Sequence, residues 1–536
     1  MDTTVSFCVS IVLPMGFSFR DRVDVSRGSG NTRSMTESRG WQNDGGRMMS
    51  VPVLVGERWV VPTVSAWGTV FNPSLGEEIA RVPMCGAAEV DAAVQAALAT
   101  FATWSRTPAP ARAAKMFAFK TQLEAHFEEL AALITRENGK TLEEARGDVR
   151  RGIEVVDFAC GISHLCKGET LPQVADGIDG VTMREPIGVC AGITPFNFPA
   201  MVPLWMFPIA IACGNTFILK PSEKVPLTAV RLAELALEAG WPPGVLNIVH
   251  GGREAVDALL EHPGIAAISF VGSTRVAEHV YVTGCRHGKR VQAAGGAKNV
   301  MIVMPDADPT ATTRAIMGAA YGCAGQRCMA GSILMGVGDA APQVRDHIAA
   351  AIDKLVLGDT SANPKADMGP VIDSAARERI LQSIEMGIAE GASLVRGGKH
   401  ESQGRGFFVS PTLFDEASPD MHIAREELFG PVLTMLRPRD LDEAITWANR
   451  SPYGNGAVIF TSSGGAARQF ARDVQCGMVG VNVGVPAPMA AFAFSGWNRS
   501  FFGDLHVQGI EGVMFYTRQK IVLSRWDNAY RRTQGW

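Results

Sequence analysis

A chain of 536 residues is too long for a single hydrophobic core and implies two or three domains. Hydrophobic residues make up 46% and charged residues 19%, the balance of a well-packed globular protein. A net charge of −4 carries no polyelectrolyte signal, so neither nucleic acid nor a membrane surface is indicated as a partner.

Ten cysteines are too sparse for a disulfide scaffold, and no C-x-x-C or H-E-x-x-H string suggests a metal site. Reduced thiols in a cytoplasmic setting are expected. Residues 1–50 read as a disordered or spurious extension. Val5–Phe19 is apolar but short, broken by Pro14 and preceded by Asp2, so it fits neither a membrane span nor a secretory signal. Ser26–Met49 has the composition of a disordered segment.

From Val51 onward helical and strand-like patterns alternate, as an α/β fold requires. Periodicity predicts helices over Glu89–Ser105, Arg112–Asn138 and Leu142–Cys166, then a β-hairpin over Gly168–Met183. Short apolar runs at Gly188–Ile193, Thr216–Leu219, Val245–His250 and Ala266–Val271 read as buried parallel strands. Helices at Leu227–Ala239 and Arg253–Glu261 lie between them, completing a dinucleotide-type βαβ array. The one string near the G-x-G-x-x-G fingerprint, Gly336 to Ala341, is read as a surface turn. A late strand is expected over Val513–Leu523.

Gly325-Gln326-Arg327-Cys328-Met329-Ala330 places one cysteine in a glycine-opened turn directly after an arginine. A thiol attacks carbonyls as thiolate, and a cationic neighbour with nearby N–H donors is expected to lower its pKa. The bland alternative is a buried structural cysteine. Four further strings accompany it: Pro195-Phe196-Asn197-Phe198-Pro199, Lys220-Pro221-Ser222-Glu223, Phe270-Val271-Gly272-Ser273-Thr274 and Glu426-Glu427-Leu428-Phe429-Gly430-Pro431. In this order and at these separations the set resembles the aldehyde dehydrogenase superfamily, over about Val51 to Trp526.

The resemblance implies an aldehyde dehydrogenase-like α/β fold. Residues 51–165 and 184–294 would form a Rossmann-like NAD-binding domain and residues 295–500 a catalytic domain. Residues 166–183 and 505–526 would form an arm for assembly into a homodimer or homotetramer. Cys328 would attack the aldehyde carbon. Asn197 and the Cys328 N–H would hold the oxyanion, although an asparagine between prolines is also an ordinary turn residue. Phe196, Glu427 and Phe429 would surround the nicotinamide end of the cofactor; read alone, Glu426-Glu427 is a solvated acidic turn. Lys220 and Glu223 would flank the adenosine ribose, where a carboxylate favours NAD over NADP. Gly272 and Ser273 would present N–H groups to the pyrophosphate at a helix start.

Hydrolytic members carry Glu-Leu-Gly-Gly-Lys, whose glutamate activates water. Aligned on the lysine, this chain reads Ala294-Gly295-Gly296-Ala297-Lys298. Water, with a pKa of about 15.7, then lacks a base, whereas a thiol near about 8.5 is already partly ionised. The Ala-Lys-Asn ending, the Gly-Gln-Arg-Cys-Met-Ala run and the Phe494-Ser495-Gly496 region resemble the CoA-acylating methylmalonate-semialdehyde dehydrogenases. That subfamily implies malonate or methylmalonate semialdehyde as substrate, coenzyme A as acyl acceptor, and Arg151 and Arg327 as partners of the substrate carboxylate. Two alternatives stand beside this reading: a hydrolytic dehydrogenase that uses another base such as Glu427, and a non-catalytic oligomeric binding protein.

Overall fold

The computed structural model describes residues 48–398 and 405–526, so the expectations for residues 1–47 fall outside it. Two sheets and a small arm organise these residues. In the first sheet the strands run Arg58–Val60, Val53–Val55, Leu246–Ile248, Thr216–Lys220, Val189–Ile193, Ile265–Val271, Arg290–Ala294 and Phe501–Phe502. The five from 246–248 to 290–294 are mutually parallel, and antiparallel strands flank them. Val189–Ile193 and Thr216–Lys220 are buried along their whole length, because helices cover both faces of a parallel sheet.

After the edge strands 53–55 and 58–60, the chain begins the parallel part of this sheet at 189–193, in the middle. It winds one way to 216–220 and 246–248, then crosses to 265–271 and 290–294 on the other side. The strand order therefore reverses between 189–193 and 265–271. A crevice opens at the carboxyl ends of strands at such a switch point. Three of the motifs sit there: 195–199, 220–223 and 270–274.

The second sheet runs Ser393–Arg396, Thr412–Asp415, Val432–Leu436, Gly331–Gly336, Asn299–Val303, Gly456–Phe460 and Met478–Val481. It is parallel except for the first edge strand. Residues 295–298 carry the chain from one sheet to the other. The Gly336–Ala341 string is a strand-to-helix turn of this sheet, not a wholly exposed one: Gly336 and Val337 are buried, and a Cβ on Gly336 would lie 2.6 Å from the Ala341 backbone.

Thr170–Ala175 and Ile178–Pro186 form the expected hairpin, and Thr517–Arg525 pairs with its second strand from Thr517↔Pro186 to Arg525↔Ile178. Three expectations need correction. Residues 112–138 form two helices, Ala109–Ala125 and Phe127–Asn138, because His126 leaves the helical region and bonds Glu129 at 2.6 Å. The helix begun at Leu142 ends at Cys160, followed by a single turn over Ile162–Leu165. Val513–Phe515 belongs to a short helix, Gly509–Phe515, whose Gly512 faces Ile209, and the late strand starts at Thr517. Among the described residues no helix is long and apolar enough to cross a membrane.

Candidate active site

The nucleophile loop follows the Pro309–Tyr321 helix. Cys323, Ala324 and Gly325 all adopt positive φ, at 51°, 51° and 71°. Only glycine fits the last position, since a Cβ there would collide with the Gly430 carbonyl. The close approach joins the cysteine motif to the Glu426–Pro431 motif. The Gln326 side chain accepts from the Ile372 N–H at 3.0 Å and pins the turn from outside.

Two asparagine amides hold the Cys328 carbonyl, Asn299 at 2.9 Å and Asn455 at 3.0 Å. Asn455 carries no motif signal in the sequence, and Asn299 is visible only as the end of Ala-Lys-Asn. The two bonds anchor the backbone from which the thiol projects. Its thiol is not activated in the resting protein: burial pushes the Cys328 pKa up to about 12, and Glu427 adds to the rise. The N–H groups of Cys328 and Met329, and then Arg327, pull the other way and lose. The expectation of a lowered pKa fails because desolvation penalises the thiolate more than one guanidinium rewards it.

Asn197 is buried beside this loop, and its amide donates to the Gln326 carbonyl at 3.0 Å. An ion pair that the sequence reading missed holds it in place. Lys140 donates to the Asn197 carbonyl at 2.7 Å and to Asp148 at 2.9 Å, with both side chains buried, and lies over the Phe198 ring. Asp148 in turn accepts from the Met201 N–H at 2.7 Å. One network thus docks the 195–201 turn on the Leu142–Cys160 helix. The helix comes close because a Cβ at Gly152 would strike Leu204.

A cavity of about 410 Å³ opens onto Cys328. Phe198, Met201, Trp205 and Phe494 supply its apolar wall, with Trp205 and Phe494 stacked at 4.9 Å. Arg327 and Arg151 line the same space, so the structure brings both predicted arginines to the nucleophile's cavity. Each already has partners. Arg327 donates to the Gly318 carbonyl at 3.0 Å and reaches Glu144 at 3.4 Å; Arg151 pairs with Glu154 at 2.9 Å. A guanidinium has five N–H donors, so both retain donors for an incoming carboxylate.

The residues at the switch-point crevice suit a dinucleotide. Lys220, buried at the end of its strand, lies 3.4 Å from Glu223. Ser273 is the N-cap of the Thr274–Arg286 helix, and no side-chain cap takes up its first N–H groups. The Gly272 N–H, however, donates to the Ala294 carbonyl at 3.1 Å, so the anion-facing donors begin at Ser273. Phe196 and Phe429 meet edge to face at 5.8 Å. Glu427 accepts from the Ala297 N–H at 3.0 Å, and burial raises its carboxyl pKa to about 7. The hydrolytic-base position is Ala294, buried at the end of its strand, where it offers a methyl group only.

Residues 59–522 match the model of the aldehyde dehydrogenase family. Malonate-semialdehyde dehydrogenase 1 of Geobacillus thermodenitrificans is 52% identical over 474 residues, covering 88% of this chain and 98% of that protein. The methylmalonate-semialdehyde dehydrogenase of Oceanimonas doudoroffii superposes with a TM-score of 0.88 at 45% identity, over 90% of this chain and 99% of that one. A Sinorhizobium meliloti protein described as a methylmalonate-semialdehyde dehydrogenase and solved with NAD superposes with a TM-score of 0.89 at 45% identity, again over 90% and 99%. The chain belongs to the aldehyde dehydrogenase family.

Proposed function

We propose that this enzyme oxidises malonate or methylmalonate semialdehyde with NAD and transfers the acyl group, after loss of carbon dioxide, to coenzyme A. The products are acetyl- or propionyl-CoA. The observation that carries the reading is the single cavity shared by Cys328, Arg151 and Arg327. It can receive an aldehyde at one end and a carboxylate at the other. The names of the relatives support the same substrate class.

The substrate carboxylate lies against the remaining guanidinium donors, and the aldehyde carbon faces the Cys328 sulfur. Asn197 and the Cys328 N–H stabilise the oxyanion of the adduct. Bound NAD supplies the two-electron acceptor that converts this adduct to a thioester. Glu223 beside Lys220 supports NAD over NADP, because a carboxylate repels a 2′-phosphate. In the thioester the carboxylate is β to the carbonyl, so it leaves as carbon dioxide while the oxyanion donors hold the enolate. Ala294 cannot take a proton from water, which leaves a thiol as the competent acceptor.

A second reading, hydrolysis with Glu427 as base, is favoured by one observation: its carboxyl pKa of about 7 next to the 294–298 loop. We further propose a homodimer or homotetramer built through the arm, and a cytoplasmic location, which the nine free cysteines among the described residues support.

Arg151→Ala and Arg327→Lys test the substrate assignment. Each is expected to raise KM for malonate semialdehyde about tenfold to a hundredfold more than KM for propanal, the size of a lost charged hydrogen bond. Equal effects on both aldehydes would remove the arginines from carboxylate recognition.

A further inference from the structure

We propose a second ligand site, for a phosphate-bearing anion of nucleotide size, in the cavity between the start of the 274–286 helix and the second sheet. This cavity holds about 750 Å³, more than the one above Cys328, and shares none of its lining residues. Its floor is apolar, formed by Val300, Ile333, Met335 and Leu436, with Trp447 at the side. Such a surface suits a heterocyclic base.

Five cationic side chains face the same space, against two carboxylates, Asp420 and Glu426. Asp420 is already paired with Arg450 at 2.8 Å, and Arg499 is held by Glu278 at 3.2 Å. Arg275, Arg425 and Lys298 have no such pairing among the described residues. Lys298 is the informative one. It is 5% exposed, and its ammonium group has no hydrogen-bond partner. Burial draws its pKa down to about 8. Glu427 and Glu426 offset part of the burial cost by their charge, but an ammonium with no hydrogen-bond partner stays costly to bury, and an anion in the cavity would lower that cost.

The site also touches the chemistry. Lys298 ends the 294–298 loop, Gly296 donates to Thr274 Oγ1 at 2.9 Å on the cavity side, and Ala297 donates to Glu427 on the other. Two sources of ligand share the required chemistry. One is the phosphorylated head of coenzyme A, in which case the inference rests on the acyl transfer proposed above. The other is an independent phosphorylated effector.

Calorimetric titration of the full chain, pre-saturated with NAD, tests the site without turnover. The probes are adenosine 3′,5′-bisphosphate, which is the thiol-free head of coenzyme A, and pyrophosphate. Saturable binding of the bisphosphate, one per chain, is expected. It should weaken at least about tenfold in the Arg275→Gln/Arg425→Gln variant, with NAD binding unchanged as the control for folding. Lys298→Met should weaken it too. Displacement of the bisphosphate by coenzyme A supports the site and assigns it to the acyl acceptor; binding that coenzyme A does not displace supports it as an effector site. Absence of saturable binding, or undiminished binding in the double arginine variant, overturns the proposal and leaves the acyl-transfer reading untouched.

Discussion

Cys328 combines two demands that pull against each other. The thiol must face the cavity to reach a substrate, yet the protein packed around it holds its pKa near 12. Glu427 worsens the thiol's position by its charge. Glu427→Gln should therefore speed alkylation of Cys328 by iodoacetamide in the cofactor-free enzyme at pH 8, by roughly threefold to tenfold, the effect of a shift of half to one pKa unit. Slower alkylation would mean that Glu427 activates the thiol as a base. The acceleration should also fade below about pH 7, where the wild-type carboxyl, with its pKa raised to about 7, takes up its proton and loses the charge. At this scale the sequence disclosed which residues gather, since Cys328, Arg151 and Arg327 line one cavity and Asn197 bonds the loop that carries Cys328. It did not disclose the sign of the thiol's ionisation, because desolvation depends on everything packed around a residue. Nor did it disclose Asn455, an ordinary asparagine before a glycine whose role comes from a strand brought alongside.

At the scale of elements, the Lys140–Asp148 pair ties a loop, a turn and two helices together. Asp148 lies on a helix dense with charge, where a solvated face is the default expectation, and only the crossing of the 142–160 and 201–212 helices buries it. Asp148→Asn leaves Lys140 as an uncompensated buried charge. It should cost about 3–5 kcal/mol in urea unfolding and lower kcat through the displaced Asn197. A loss within about 0.5 kcal/mol would show that the pair does not organise the turn. The parallel strands were legible because strands buried on both faces read as short apolar runs between breakers. Element ends were less legible. Val513–Phe515 is apolar enough for a strand but lies in a short helix packed on the 201–212 helix, and His126 interrupts a periodicity that otherwise runs on.

For the whole molecule, the arm is the exposed feature. Its three strands carry Leu171, Ile521 and Leu523 at 61%, 64% and 65% exposure, and among the described residues its outer strands have unpaired edges. Such a surface is a site for pairing with another chain. Ile521→Asp/Leu523→Asp should shift the mass measured by light scattering toward the single chain, while the thermal midpoint of the remaining core changes little. An unchanged mass would take the arm out of assembly. The sequence indicated an arm through resemblance and the hairpin pattern; pairing of strand 517–525 with 178–186 is a long-range contact that local patterning cannot show.

The acyl-transfer claim is tested most directly by rapid mixing of the enzyme with NAD and malonate semialdehyde, with and without coenzyme A. Without it, the account predicts a burst of about one NADH per chain followed by very slow turnover, because Ala294 leaves the thioester without a base for water. With it, sustained NADH formation and stoichiometric acetyl-CoA are expected. Sustained turnover to free acid in the absence of coenzyme A, at a rate comparable to that in its presence, would contradict the account and assign the reaction to hydrolysis.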